Sequence, residues 1–221
     1  MEERSIYRLG IFGGTFNPIH FGHLRPAEEI REQLGLDRVL FVTSARPPHK
    51  KNLWEVSFQH RHRMLELALE GEEHFVASDL ENRRSGRSYS IETLKQLRTE
   101  FGPSVSFYFI VGMDSFLEIT TWKNYRELFE HSAFAVMNRP GFDCEELETV
   151  IKRTVSSEYH FSARENAYIH PRFQSINFCR TTLLDISSTR IRQAVAGNRS
   201  IRFLLPREVE RYILEKGLYK E

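Results

Sequence analysis

Eleven consecutive residues near the start of the chain carry the groups that a reaction at phosphorus needs: Gly13-Gly14-Thr15-Phe16-Asn17-Pro18-Ile19-His20-Phe21-Gly22-His23. Two glycines in a turn let main-chain N–H groups approach an anion with no side chain in the way. Unpaired N–H groups at a helix start, with the positive end of the helix dipole, add to that attraction. His20 and His23 are three residues apart, so on a first helical turn they share one face. Two imidazoles beside a phosphate cradle are placed to stabilise charge at a reacting phosphorus. Taken singly, the parts read as a glycine-rich turn and two surface histidines. The complete string fits phosphate chemistry when a strand precedes it and a helix follows.

Ser187-Ser188-Thr189 with Arg192 forms a second such group. Hydroxyls at a helix start usually cap it, and one of these is expected to do so. Thr189, and Arg192 a turn later, add a hydroxyl and a guanidinium at the same terminus, which makes a second anion site. Two cradles of this kind would grip a triphosphate along its length.

The elements that must carry these groups follow from apolar periodicity. Residues 7–12 and 39–43 read as strands, 24–34 and 58–69 as helices, the second capped by Ser57. Residues 74–78 read as a short strand, and 91–98 as a helix opened by Ser90 and stopped by Gly102-Pro103. The uninterrupted run Phe107-Tyr108-Phe109-Ile110-Val111 suits a strand covered on both faces. Residues 122–129 read as helix and 133–137 as strand. This alternation predicts an α/β fold, a Rossmann-like, doubly wound parallel sheet. Ligands in such sheets sit beyond the carboxyl ends of the strands, near the switch point. The Gly13 turn, the loops 43–50 and 78–88, and Gly112-Met113-Asp114 all follow strands, so they are expected to converge on one crevice. Asp114 there suits a substrate hydroxyl, a hydrated metal or a helix cap. Beyond Arg139-Pro140-Gly141, residues 145–155 suit a helix, 156–171 resist assignment, and 174–179 suit an edge strand. Residues 187–196 read as a helix ended by Gly197-Asn198, and a last helix takes Pro206 in its first turn and Gly217 as its stop. The expected organisation is a nucleotide-binding domain over residues 1–185, with a small helical C-terminal subdomain over 186–221 packed on it.

A length of 221 residues suits one α/β domain with a modest appendage. A net charge of +1, from 31 basic and 30 acidic residues, gives no global attraction to nucleic acid or membrane. Basic residues gather at 46–51, 61–63 and 83–87. The middle group reads as a solvated surface, and the other two, which follow strands, suit an anionic small molecule. Cys144 and Cys179 are far apart and form no C-x-x-C pair, which argues against a disulfide framework or a zinc site. No apolar run approaches the ~20 residues of a membrane helix, and Met1-Glu2-Glu3-Arg4-Ser5 lacks a secretory apolar region. A cytoplasmic protein is expected; its oligomeric state is left open.

His20-Phe21-Gly22-His23 resembles the H-x-G-H signature of the nucleotidyltransferase superfamily, and Ile186-Ser187-Ser188-Thr189-Arg190-Ile191-Arg192 resembles its I-S-S-T-x-I-R signature. Within that superfamily the chain is most similar to the bacterial nicotinate-mononucleotide adenylyltransferases, from Gly10 to Tyr219 and most weakly between 142 and 185. The resemblance implies adenylyl transfer from ATP to nicotinate mononucleotide, giving nicotinate adenine dinucleotide and pyrophosphate in NAD biosynthesis. It implies catalytic roles for His20, His23 and Arg192. ATP would be held by Gly13, Gly14, Thr15, Phe16, Gly112, Asp114, Ser187, Ser188 and Thr189. The pyridine mononucleotide would be held by His49, Lys50, Ser90, Trp122 and Arg139, although Trp122 by itself reads first as a core residue. Mg2+ is expected to arrive on the ATP phosphates, with no protein cluster as its direct ligands. The family often has aspartate where this chain has Asn17, and asparagine where it has Ser44-Ala45 before Pro47-Pro48-His49-Lys50. Rival readings are the same transfer to nicotinamide mononucleotide or phosphopantetheine, a cytidylyl donor with an alcohol phosphate, and a nucleotide-binding regulator without catalysis.

Overall fold

Uninterrupted apolar runs are satisfied only where both faces of a strand are covered, and they set the centre of this sheet. The computed structural model describes residues 7–46, 56–138 and 144–220. Its strands are β1 (Tyr7–Gly14), β2 (Arg38–Thr43), β3 (Phe75–Ser78), β4 (Val105–Gly112), β5 (Ala133–Met137), β6 (His160–Ser162), β7 (Ala167–Ile169) and β8 (Ile176–Cys179). They form one sheet in the order β3-β2-β1-β4-β5-β8-β7-β6. From β3 to β8 every pairing is parallel, and β7 and β6 add an antiparallel hairpin. The order reverses at β1, whose neighbours are β2 and β4. The crevice beyond the ends of β1 and β4 is therefore the switch point where such sheets bind ligands.

The helices are α1 (Phe21–Leu34), α2 (Phe58–Leu69), α3 (Ser90–Phe101), α4 (Met113–Leu117), α5 (Tyr125–His131), α6 (Cys144–Val150), α7 (Ser188–Ala196) and α8 (Arg207–Glu215). Alternation along the strands sends Leu9, Ile11, Leu40, Val42, Phe107 and Phe109 to one core, with α3 to α6. Phe12, Val39, Phe41 and Ile110 go to the other, with α1, α2, α7 and α8. The C-terminal helices thus share a core with the first two. Full burial of one such side chain stabilises by about 1.5–3 kcal/mol, against about 1 kcal/mol for a helix cap. Packing outweighs capping here. α8 has nine residues and no side-chain cap, yet it seats Val209 and Ile213 in the core.

The alternation of strands and helices is as the sequence predicts, with local differences. α1 begins at Phe21, not at 24. The helix expected over 122–129 is Tyr125–His131, because Asn124 is left-handed at φ 50° and breaks the chain there. Trp122 precedes it in extended backbone, after a short 3₁₀ turn over Ile119–Thr121. The segment expected as an edge strand, β8, lies inside the sheet, since the unassigned stretch before it supplies the β6–β7 edge. Pro206 caps α8 from outside its first turn.

Candidate active site

β1 ends at Gly14, and the chain turns through Thr15 to Pro18 before α1 begins. A Cβ built on Gly13 would meet nothing within 4 Å, so this position opens onto free space. Phe16 has φ 47° and a buried ring, edge-on to Phe12 at 5.9 Å and to His23 at 5.3 Å. What Phe16 can offer a nucleotide is therefore main chain. His20 stands at the N-cap of α1 with its side chain buried. Its ring lies 3.8 Å from that of His23, centroid to centroid, at a tilt of 34°. Burial, and then the charge of His23, push the His20 imidazole down from 6.5 to about 2. His20 is thus a neutral hydrogen-bonding group at ordinary pH. Gly22 explains how the rings pack so closely. A Cβ there would lie 2.9 Å from His20 Nδ1 and 3.1 Å from the Ile186 carbonyl oxygen.

That second contact brings the distant signature to the first. Ser187 caps α7, its side chain accepting from Arg190 N at 3.2 Å. Ser188 Oγ donates to the Pro18 carbonyl at 2.9 Å. Arg192 Nη2 donates to Thr189 Oγ1 at 3.1 Å, and its Nη1 donates to the Asn17 carbonyl at 2.7 Å. Tyr219 Oη donates to Asn17 Oδ1 at 2.8 Å. The three hydroxyls thus all have protein partners, and Arg192, buried, braces the turn that leads to the histidines.

Gly13, Gly14 and Thr15, with Gly112, Ser90 and Trp122, line a cavity of about 560 Å³; His20, His23 and Arg192 are not among its lining residues. The N-terminus of α3, Ser90, faces it, so unpaired helix N–H groups favour an anion there. Tyr89, not Ser90, holds the cap position. Trp122 is half-buried, edge-on to Phe109 at 6.0 Å, and also forms cavity wall, so its two readings hold together. Arg87 and Lys123 bring positive charge to the wall and Glu81 brings negative charge. Asp114 is exposed in the first turn of α4, whose cap is Gly112, and does not line the cavity. His49, Lys50 and Arg139 lie outside the described residues.

Arg61, expected on a solvated surface, is buried at 2% exposure. Its Nη1 donates to the carbonyls of Thr15 and Ser44, both at 2.8 Å. The signal was present: Arg61 stands three and four residues before Met64 and Leu65, on the buried stripe of α2.

Among the described residues no cluster of three His, Cys, Asp or Glu side chains could hold a metal ion. The groups that converge on the β1 turn are hydrogen-bond donors. Such a set fits Mg2+ carried by a nucleotide, with phosphate and water as its ligands.

The cytidylyltransferase-like family matches residues 11–194. A protein of Syntrophotalea carbinolica named "Probable nicotinate-nucleotide adenylyltransferase" is 46% identical over 213 residues, covering 96% of this chain and 97% of the relative. One of Geotalea daltonii with the same name is 44% identical over 214 residues, covering 97% and 99%. Among solved structures, the nicotinic acid mononucleotide adenylyltransferase of Plasmodium falciparum complexed with NaAD aligns with a TM-score of 0.74 at 21% identity, covering 96% of this chain and 97% of that one. That likeness carries the fold, and the curated relatives carry the family. With its two signatures meeting at one turn of a doubly wound sheet, the chain belongs to the nicotinate-nucleotide adenylyltransferases, nucleotidyltransferases of the cytidylyltransferase-like family.

Proposed function

We propose that this enzyme transfers the adenylyl group of ATP to nicotinate mononucleotide, releasing pyrophosphate and forming nicotinate adenine dinucleotide for NAD synthesis. The observation that carries the reading is the position of the β1 turn. It leads into the His20–His23 pair, and its Gly13–Thr15 stretch lines a cavity with an aromatic wall and a helix N-terminus. A phosphate oxygen of the mononucleotide attacks the α-phosphorus of ATP, and the bond to pyrophosphate breaks. No covalent nucleophile from the protein is needed; the work is alignment and charge stabilisation.

In this reading the Gly13–Thr15 turn, main chain of Phe16, and Gly112 receive ATP. His20 and His23 donate to the phosphoryl oxygens as charge builds there. A neutral His20 does so through its one ring N–H. Arg192 keeps the turn in place and adds positive charge beside it, and Ser187, Ser188 and Thr189 seat the helix that carries it. Trp122 supplies a face for the pyridine ring. The N-terminus of α3 at Ser90 favours the carboxylate of the acid over the neutral amide. His49, Lys50 and Arg139 are proposed for the mononucleotide on family resemblance. Mg2+ bound on the ATP phosphates would supply further charge neutralisation, and Asp114, off the cavity wall, is proposed for a substrate hydroxyl or the hydrated metal on family resemblance. Among the described residues no helix is long and apolar enough to cross a membrane. We assign the reaction to the cytoplasm, and residues 186–221 the role of a subdomain bracing the phosphate turn.

The test is pyrophosphate release from ATP with nicotinate mononucleotide, nicotinamide mononucleotide and phosphopantetheine offered in turn. Release is expected with the acid, and about tenfold or more slower with the amide. Faster release with another acceptor reassigns the substrate. Release with none overturns the reading in favour of a regulator.

A further inference from the structure

A buried arginine is a poor choice for packing alone. Removing its charge from water is costly, and an apolar side chain of similar volume often serves stability as well or better. Arg61 nevertheless occupies the buried stripe of α2. Both hydrogens of one guanidinium nitrogen are used there, on carbonyls from two different strand ends. Thr15 follows β1 and Ser44 follows β2, and both line the cavity. Arg61 Nε donates to a third carbonyl, that of Val56, at 3.3 Å.

In a trans peptide the C=O and the following N–H point in opposite directions. A carbonyl drawn back toward α2 therefore turns the next N–H away from it. For Ser44 the consequence is visible: Ala45 N–H donates to Ser88 Oγ at 3.0 Å. The same oxygen accepts from Arg46 N at 3.0 Å, and Ser88 N returns a bond to the Arg46 carbonyl at 3.1 Å. Ser44 N donates to the Gly14 carbonyl at 2.8 Å. A continuous series of contacts thus runs across the cavity mouth, from Thr15 through Arg61 and Ser44 to Ser88. On the β1 turn, Arg61 holds the carbonyl of Thr15 while Arg192 holds that of Asn17. The negative ends of both dipoles face helices α2 and α7, away from an incoming phosphate.

We propose that Arg61 is a positioning residue for adenylyl transfer, setting the spacing between the β1 turn that receives ATP and the β2 loop on the acceptor's side. The inference rests on the function proposed above. Each loop keeps its other contacts when Arg61 is altered, so each substrate still binds. What is lost is the registry of the two reacting groups, and a displacement of about 1 Å can cost roughly 100-fold in rate.

The experiment measures kcat, KM for each substrate and thermal midpoint in Arg61→Lys, Arg61→Met and Ser88→Ala, with Arg63→Gln on the exposed side of α2 as control. Arg61→Lys is expected to lose roughly 100-fold in kcat with each KM within about threefold. Ser88→Ala, which releases the same loop from its other side, is expected to lose about tenfold in kcat. Arg63→Gln is expected to match the parent. Wild-type kcat in both Arg61→Lys and Ser88→Ala, with only a lowered thermal midpoint, would overturn the proposal and leave Arg61 a structural brace. If Arg61→Met does not fold, the other two variants decide. An active parent with unaffected variants defeats the Arg61 role alone. A parent inactive with every mononucleotide defeats the functional reading and this inference with it.

Discussion

Arg192 Nη1 donates to the main-chain carbonyl of Asn17 at 2.7 Å, across 175 residues of sequence. The two family signatures therefore meet through a side chain of one and the backbone just ahead of the other. Ser188 on the Pro18 carbonyl and Tyr219 on Asn17 Oδ1 close the same seam. Burial raises the Tyr219 hydroxyl well above its ordinary range, so it stays protonated and donates. The Asn17 amide oxygen supplies the acceptor that this hydroxyl needs.

Removal of the guanidinium tests this seam. Arg192→Ala leaves the buried Asn17 carbonyl without that donor, a loss of about 1–3 kcal/mol. The urea midpoint is expected to fall accordingly, and kcat by roughly 100-fold or more. Tyr219→Phe removes one neutral hydrogen bond and is expected to cost about 1 kcal/mol with little change in turnover. Equal kinetic damage from both would mean that Arg192 acts only through folding.

The histidines are expected to separate chemistry from stability. His23→Ala loses a donor to the phosphoryl oxygens and is expected to cost roughly 100- to 1000-fold in turnover. Far-ultraviolet circular dichroism should be unchanged. Near-normal turnover in that variant would remove His23 from the mechanism.

Two glycines predict opposite patterns. In Gly22→Ala the new methyl lies 3.1 Å from the Ile186 carbonyl oxygen and 2.9 Å from the His20 ring. Helix α1 and the α7 approach must part, so a lower melting temperature and a loss of turnover of about tenfold or more are expected. In Gly13→Ala the methyl enters open space at the end of β1. Stability should be unchanged while KM for ATP rises about tenfold. A stable, fully active Gly22→Ala would contradict the packing argument.

Stability should depend on pH through His20. Its folded value is about 2, below the 6.5 of an exposed imidazole. Between those values the unfolded chain binds a proton that the folded chain does not, so stability is full above pH 6.5 and falls as the solution is acidified toward 2. From pH 7 to 5 this one group removes about 2 kcal/mol. His20→Asn should show a shallower decline over that interval in urea denaturation. Parallel curves for parent and variant would show that the ring titrates normally.

Trp122→Ala is expected to raise KM for the mononucleotide about tenfold, through loss of a ring-sized apolar face, and to leave KM for ATP within about twofold. Isothermal titration with each substrate alone separates the two. Weakened binding of ATP alone would place the tryptophan at the other end of the site.

Local chemistry was readable from the sequence because its causes are local. Near-continuous apolar runs produce β1, β4 and β5 wherever they lie. A glycine turn ahead of two histidines needs only a strand before it and a helix after it, and both are present. Ser57 caps the helix that the sequence assigns it, and of the three hydroxyls at 187–189, one of which the sequence expects as a cap, Ser187 is the one that caps. Where tertiary structure decided, the cause was a partner remote in the chain. The burial of Arg61 depends on two strand ends arriving over α2, and charge composition says nothing of that. The interior position of β8 depends on a hairpin that pairs with it through short, weakly patterned strands. Trp122 is both wall and core because helix α5 starts three residues late, after a left-handed Asn124. Above all, the meeting of the Asn17 backbone with Arg192 is a product of packing: α1 and α7 bury Ile30 and Ile191 in one core, and that shared burial brings the second signature to the first.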